Sequence, residues 1–435
     1  MKTAITAVHA RQILDSRGMP TIEAEVVLSD SSLGIASVPA GASKGKREAV
    51  EKRDGIKEIY RGFGVLKGVE NVNNTVAKKI TGMDAHEQEL IDQAMIELDG
   101  SLDKSNLGAN AILAVSLANA RACAESNKEP LFQYLASLAP NITQRIGLEF
   151  RLPVAQFNIV NGGKHADSLL SLQEFLLIPF GFEKFSESLR AATEIYWMLK
   201  DILHKHSFLT NIGDEGGLAP QIDKTKTVLE MIIEAVEISG YKLGEQIYLG
   251  LDSAASQFET DGGRYELDGE FYDTQRLISF YQELISSYPF LKSLEDPFGQ
   301  DDWSGFKKIN EVLGKTTQIV TDDLTVTNPQ IFNKAILEQV GNAILVKYNQ
   351  IGTLSETLKV IKMARNSGWR VIIGNRSGET TDDFEADLAV AFHLPQVKFG
   401  APFRGERLAK YNRLLRIEDM LGSSGKFTGK EGLGF

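Results

Sequence analysis

FLKSLEDPFGQDDWSGFKKINEVLGKTTQIVTDD, residues 290–323, decides the fold. Two short apolar runs, FLKSLED and TQIVTDD, each end in acids, and a longer segment separates them. The same grammar extends in both directions. Upstream lie IYLGLD, ending at Asp252, and the amphipathic segments TKTVLEMIIEAVEISG and TQRLISFYQELISSY, the second starting at Thr274. Downstream lie AILVKYNQ, RVIIGNRSG and QVKFGAP. Short apolar runs alternating with segments of helical periodicity predict parallel strands joined by helices, and so many repeats predict a closed (β/α)8-type barrel of about eight strands.

Before Pro140 the pattern differs. TIEAEVVLSDSSLGIASVPAG, from Thr21, alternates apolar and polar residues around a Ser/Asp turn, as an antiparallel hairpin does. Between about residues 57 and 138 the spacing becomes helical, with an amphipathic stretch at HEQELIDQAMIELDG and a nearly continuous apolar helix at ANAILAVSLANARACAES. The expected division is an N-terminal α+β domain over 1–138 that caps an α/β barrel over 139–435. A length of 435 residues, too great for one ordinary core, agrees with two domains.

Hydrophobic residues make up 43% and charged residues 24%, the composition of a globular protein. Fifty-eight acidic against 47 basic side chains give a net charge of -11, and no basic run is interleaved with aromatics, so nucleic acid is not an expected partner. Cys123 is the sole cysteine and lies in an apolar helix, which excludes an intrachain disulfide and suits a reducing compartment. His9, Arg11 and Asp15 interrupt the N-terminal segment before a leader-like apolar region forms, and no apolar run reaches the length of a membrane span. A cytoplasmic location is the expectation.

Charge repeatedly follows an apolar run: Asp252, then Glu295 with Asp296, Asp322 with Asp323, Lys347, Arg376 with Ser377, and Lys398. In a barrel these strand ends converge on one face and share a pocket. Any single acid there could cap the helix that follows. Three in succession, without cysteine or histidine, suit a hard, oxygen-seeking divalent ion such as magnesium, with Asp252, Glu295 and Asp322 as ligands. Lys347, pointing into the barrel, is a candidate base whose pKa burial and neighbouring cations would lower; a structural ion pair is the alternative. Glu174 in SLQEFLLIP, Glu215 in NIGDEGGLAP and His165 in NGGKHAD are further candidates. The loop VPAGASKGKREAVE, carrying Lys44, Lys46 and Arg47, has the small residues of a lid over an anion, although composition alone favours a solvated surface loop.

The segments DSRGMPTIEAEV, PAGASKGKREAVE, NGGKHAD, LQEF, GDEGGLAP, LDSAAS, SLEDPFGQDDW, TDDLTVTN, VKYNQIGTLSET, NRSGETTDDFEADLAVA and FGAPFRGERLAKYNRLLRIE, in this order, resemble the enolase family along essentially the whole chain. The resemblance implies an N-terminal cap over a barrel whose first strands depart from regular alternation. It also implies a carbon–oxygen lyase that converts 2-phosphoglycerate reversibly to phosphoenolpyruvate with two magnesium ions, the second arriving with the substrate. On that reading Asp252, Glu295 and Asp322 hold one ion and Ser43 helps to bind the other. Lys347 takes the C2 proton and Glu215 is the general acid. Lys398 offsets carboxylate charge, Arg376 and Ser377 hold the phosphate, and His165 and Glu174 line the hydroxyl side. The pairing of a lysine base with magnesium that stabilises an enediolate is a known property of this superfamily, and it comes with the resemblance. The resemblance further implies a homodimer or a ring of four dimers, and leaves open a cell-surface fraction reached without a leader.

The chain departs from the family pattern at several positions. Asn375 stands where a histidine is usual, Lys44 where a threonine is, Arg47 where a histidine is, Phe399 where a threonine is and Met19 where an asparagine is. A neutral amide at 375 hydrogen-bonds but carries no proton charge, so reduced or altered activity is expected. The competing readings are a dehydratase of the wider superfamily acting on another carboxylate, and a low-activity paralogue with a binding role.

Overall fold

The computed structural model describes residues 3–42, 45–140 and 149–434. The alternating stretch forms strands Pro20–Leu28 and Leu33–Ser37, paired antiparallel. A further strand, Ile5–Leu14, pairs with Pro20–Leu28 and completes a three-stranded sheet. The apolar helix Ala109–Asn127 packs across this sheet and is buried along most of its length. Close approach is possible because strand residue Gly34 has no side chain: a Cβ there would overlap the Ala118 carbonyl oxygen and the Ala122 amide. Gln88–Asp99, the amphipathic stretch, lies beside that helix.

The second half forms the barrel. Its strands follow the spatial order Val154–Ala155, Gln396–Lys398, Arg370–Gly374, Ala343–Val346, Gln318–Thr321, Leu291–Glu295, Ile247–Asp252, Glu174–Pro179, Phe157–Asn161. Only Gln156 separates the first from the last in sequence, so the sheet closes on itself. Alternate residues face opposite ways: Ile319, Ile344, Val371 and Ile373 join the large core beneath the helices, whereas Val320, Ala343, Leu345 and Ile372 form a separate cluster on the other face. A polar layer accompanies them, in which Gln396 Nε2 donates to Gln318 Oε1 at 2.7 Å and Gln318 Nε2 to Ser293 Oγ at 3.2 Å.

One strand runs backwards. Glu174–Pro179 is antiparallel to both Phe157–Asn161 and Ile247–Asp252, and helices Phe185–Lys205 and Thr225–Ile238 follow before parallel alternation begins. Its first residue, Glu174, therefore pairs with the last residue of the next strand, Asp252. Thereafter four helices begin at local caps: Asp273 accepts from Arg276 N, Asp302 from Gly305 N, Asn328 precedes Pro329 and accepts from Ile331 N, and Thr353 accepts from Glu356 N. Each such cap stabilises its helix by about 1 kcal/mol.

The N-terminal domain is bound to the barrel by polar contacts. Arg121 pairs with Asp382 at 2.7 Å and Asp383 at 3.0 Å, Lys104 with Glu356 at 3.0 Å, and Asp92 accepts from Ser355 N and Oγ at 2.9 and 2.6 Å. A bridge between Ala40 and Gly378 brings the segment around Ala40 beside Ser377.

Candidate active site

One pocket is lined by Lys347, Glu215, Glu174, His165, Arg376, Ser377 and Lys398, together with Gln173 and Asn375. Seven sequence-predicted residues thus meet in one place. Strand ends supply Lys398 and, through the reversed strand, Glu174, while residues just beyond strand ends supply Lys347, Arg376 and Ser377. Lys347 lies one residue past its strand and opens the short helix Tyr348–Ile351, rather than lying within the strand. Glu215 comes from a loop held by backbone bonds from Asp214 N to His165 O and from Ala401 N to Glu215 O, both 2.9 Å. Gly216, at φ +87°, makes the sharp turn after it. Ser43 and Lys44 lie outside the described residues.

Two lysines stand among the predicted metal ligands. Lys398 Nζ lies 2.7 Å from Glu295 Oε1, 3.0 Å from Glu174 Oε2 and 3.1 Å from Asp252 Oδ2. Lys347 Nζ lies 2.6 Å from Asp322 Oδ2, and Gln350 Nε2 donates to the other oxygen of that carboxylate at 2.8 Å. The predicted triad is thus divided, with Asp252 and Glu295 facing one lysine and Asp322 the other. Among the described residues, two groups bring three ligand atoms within 4.8 Å of one another: His165 with Glu174 and Glu215, and Asp296 with Asp322 and Asp323.

These contacts set the protonation of the pocket. Burial pulls the Lys347 pKa down, but Asp322 outweighs it and holds the lysine at about 12. The expected lowering is therefore corrected, because the nearest charge is an anion in contact and the cations Arg376 and Lys398 act more weakly. Burial pushes Glu215 up, yet His165, Arg407, Lys398 and Lys347 prevail and hold it at about 2. Glu295 is raised well above the carboxylate range by burial and by Asp252. Its Oε2 is buried without a hydrogen-bond partner among the described residues. Asp252, Glu295 and Asp322, oxygen donors with an unsatisfied Glu295 oxygen among them, fit a hard cation of the magnesium type.

The rest of the pocket is built for an anion. Arg376 Nη1 and Nη2 meet Glu48 Oε2 and Oε1 at 2.9 and 3.1 Å, and Nη1 also donates to Asn349 Oδ1 at 3.1 Å. Ser377 Oγ accepts from Ala42 N at 2.7 Å and from Arg17 Nη1 at 3.3 Å. His165 Nδ1 lies 3.1 Å from Glu174 Oε1 and 3.8 Å from Glu215 Oε1. Asn375, its amide oriented by its neighbours, donates to Lys398 O at 2.9 Å and accepts from Arg407 Nη1.

The loop read as a solvated surface is only partly so. Lys46 and Arg47 form exposed pairs with Asp301, but Glu48 is buried against Arg376. Sequence reasoning misses Glu48, and it misses Arg407, whose Nη1 and Nη2 brace the Arg376 and Ser377 carbonyls at 2.5 and 2.6 Å. Neither follows an apolar strand, so the pattern that finds the other residues is silent on them. The nearest signal is their place in the charged motifs GKREAVE and FRGERLAKYN.

A capped α/β barrel with a buried carboxylate–lysine centre and an arginine–serine pair at its mouth defines an enzyme of the barrel class. The chain matches the family description "Enolase, N-terminal domain" over residues 5–135 and "Enolase, C-terminal TIM barrel domain" over residues 149–433. It is 48% identical over 427 residues to a protein named "Enolase" from Corynebacterium kroppenstedtii, covering 98% of this chain and 97% of that relative. The chain belongs to the enolase family. Among the described residues, no helix is long and apolar enough to cross a membrane.

Proposed function

We propose that the chain catalyses the reversible, magnesium-dependent dehydration of 2-phosphoglycerate to phosphoenolpyruvate. The observation that carries this is the convergence of Lys347, Glu215, Lys398 and Arg376 on one pocket beside buried carboxylates, in a chain of this family. Lys347 removes the C2 proton, and Glu215, held ionised by its cationic neighbours, must take up a proton before it delivers one to the departing hydroxyl. Lys398 offsets the second negative charge that develops on the substrate carboxylate. Arg376 and Ser377 hold the phosphate through charge-assisted hydrogen bonds. His165 and Glu174 border the hydroxyl side, and His165, which lies between Glu174 and Glu215, is the nearest cation-forming group to Glu215.

Asp252, Glu295 and Asp322 would hold one magnesium ion, with Ser43 helping to hold a second beside the phosphate. Ions held there would supply positive charge against the negative charge that develops on the substrate carboxylate. A lysine held at about 12 must yield its proton before it acts as a base. Asp322 is at once its counter-ion and a proposed ligand, so metal binding draws on the same carboxylate.

We also propose a domain division at 138/139, supported by the end of helix Leu131–Leu138 and by family matches that stop at 135 and resume at 149. The resemblance supports a homo-oligomer, a dimer or a ring of four dimers, which light scattering distinguishes. A cytoplasmic protein with some surface-associated fraction is the location we propose. The deciding assay follows ultraviolet absorbance of the enol product from 2-phosphoglycerate, with magnesium and then with a chelator. A magnesium-dependent rise, lost in Lys347→Ala, supports the reading; no rise from folded, metal-supplied protein overturns it.

A further inference from the structure

We infer that Glu48 is a positioning residue: its carboxylate holds the Arg376 guanidinium in the orientation that receives the substrate's phosphate. This rests on the reading that Arg376 binds that phosphate.

Glu48 and Arg376 are 328 residues apart in sequence and come from different domains, yet they form a two-point pair. Only 6% of the glutamate side chain and 3% of the arginine are exposed. A carboxylate bonded to two nitrogens fixes the plane of the whole guanidinium as well as its position. Asn349 Oδ1, accepting from Nη1 at 3.1 Å, adds a third point.

The opposite role, a built-in anion that competes with the substrate for Arg376, would need Glu48 to move aside. Its surroundings oppose that. Glu48 Oε1 also accepts from Gly45 N at 3.0 Å, so the carboxylate closes its own turn. The next two residues are pinned, Ala49 N to Gln350 O at 2.8 Å and Val50 N to Asp103 O at 2.7 Å. Gln350 is the residue whose side chain holds Asp322, so Glu48 is anchored to the same rigid segment as the carboxylate centre. A buried pair of this kind is costly to break, because the charge left behind has no water to replace its partner. A guanidinium released from one edge samples more orientations, and small misplacements at a binding group are expensive in rate.

The test is titration of the magnesium-supplied protein with inorganic phosphate, alongside steady-state kinetics on 2-phosphoglycerate. Glu48→Gln is expected to weaken phosphate binding by roughly ten- to a hundredfold and to raise KM by a similar factor, with a smaller change in kcat. Asn349→Ala shifts both in the same direction by less, and carries the test if circular dichroism finds Glu48→Gln unfolded. Lys226→Ala, which removes an exposed pair with Glu283 on the outer helices, stays within about twofold of the parent. Phosphate bound by Glu48→Gln as tightly as by the parent, or more tightly, overturns the proposal. Arg376→Gln separates the two layers: if it too binds phosphate normally, the assignment of Arg376 fails and Glu48 falls with it. If Arg376→Gln loses phosphate while Glu48→Gln keeps it, the role of Glu48 alone fails.

Discussion

Lys347 Nζ lies 2.6 Å from Asp322 Oδ2, and this contact keeps the lysine charged although Asp322 is buried and Lys347 largely enclosed. A group placed to abstract a proton is thus held by its own counter-ion. Lys347→Ala removes the base and leaves the Arg376 side of the pocket in place. Turnover is expected to fall by about 10²- to 10⁴-fold with KM changed far less, measured by product absorbance. A variant that keeps parental kcat would exclude Lys347 as the base.

Metal removal tests the carboxylate set. A chelator is expected to abolish turnover while the protein stays folded, because Lys398 still neutralises Asp252 and Glu295. Restored magnesium at a hundredfold excess over its dissociation constant should stabilise the fold by about 2.7 kcal/mol, read as a rise in melting temperature. Glu295→Gln should blunt that rise, and an undiminished rise would place the ion elsewhere.

Asn375 ties Lys398 O to Arg407, which in turn braces Arg376 and Ser377. Asn375→Ala leaves buried groups without partners, at a cost of ~1–3 kcal/mol, and should slow turnover roughly ten- to a hundredfold. Asn375→His, which supplies the family's usual ring, should turn over faster than the parent. A histidine variant no faster than the parent would refute a tuning role for the amide.

His393 gives a pH signature. Burial, with Arg365 and Arg151 nearby, lowers its pKa from 6.5 to about 4. The folded state keeps the ring neutral, whereas the unfolded chain takes up a proton below about pH 6.5. Its contribution is therefore complete above about pH 6.5 and is lost as pH falls toward 4. His393→Asn, which tolerates the local φ of +47°, should lose less melting temperature than the parent between about pH 7.5 and 4.5. Equal losses would show that His393 does not titrate in this range.

Gly34→Ala should destabilise the N-terminal domain, because the new Cβ meets backbone atoms of Ala118 and Ala122 that cannot rotate away. A loss of about 1–3 kcal/mol in chemical denaturation is the expected cost of such overpacking. A neutral result would mean that the helix shifts freely on the sheet.

The barrel is legible because period-two and period-3.6 segments alternate in sequence, and the convergence of Asp252, Glu295, Asp322, Lys347 and Lys398 follows from that alternation alone. The reversal of Glu174–Pro179 is not, since FLLIP is a continuous apolar run that reads alike in either direction. Strand Ile5–Leu14 is hidden by His9, which is exposed, and Arg11, which is half-buried, because such residues suit one face of a half-exposed sheet as well as a loop. Glu48 and Arg407 are out of reach because their partners are distant in sequence. The protonation of Lys347 depends on a single contact across two strands, which no local pattern encodes.

The backward strand also changes how this pocket can be edited. Because the chain leaves and re-enters the barrel at the same end, one hairpin connection delivers His165, Gln173 and Glu174 together. That connection is also bonded to the Glu215 loop, through Asp214 N to His165 O at 2.9 Å and Gln221 Nε2 to Asp167 O at 2.7 Å, so a change in it is passed to Glu215. The hydroxyl side of the pocket is thus a pair of interlocked loops that must be exchanged together, whereas the opposite wall requires scattered replacements.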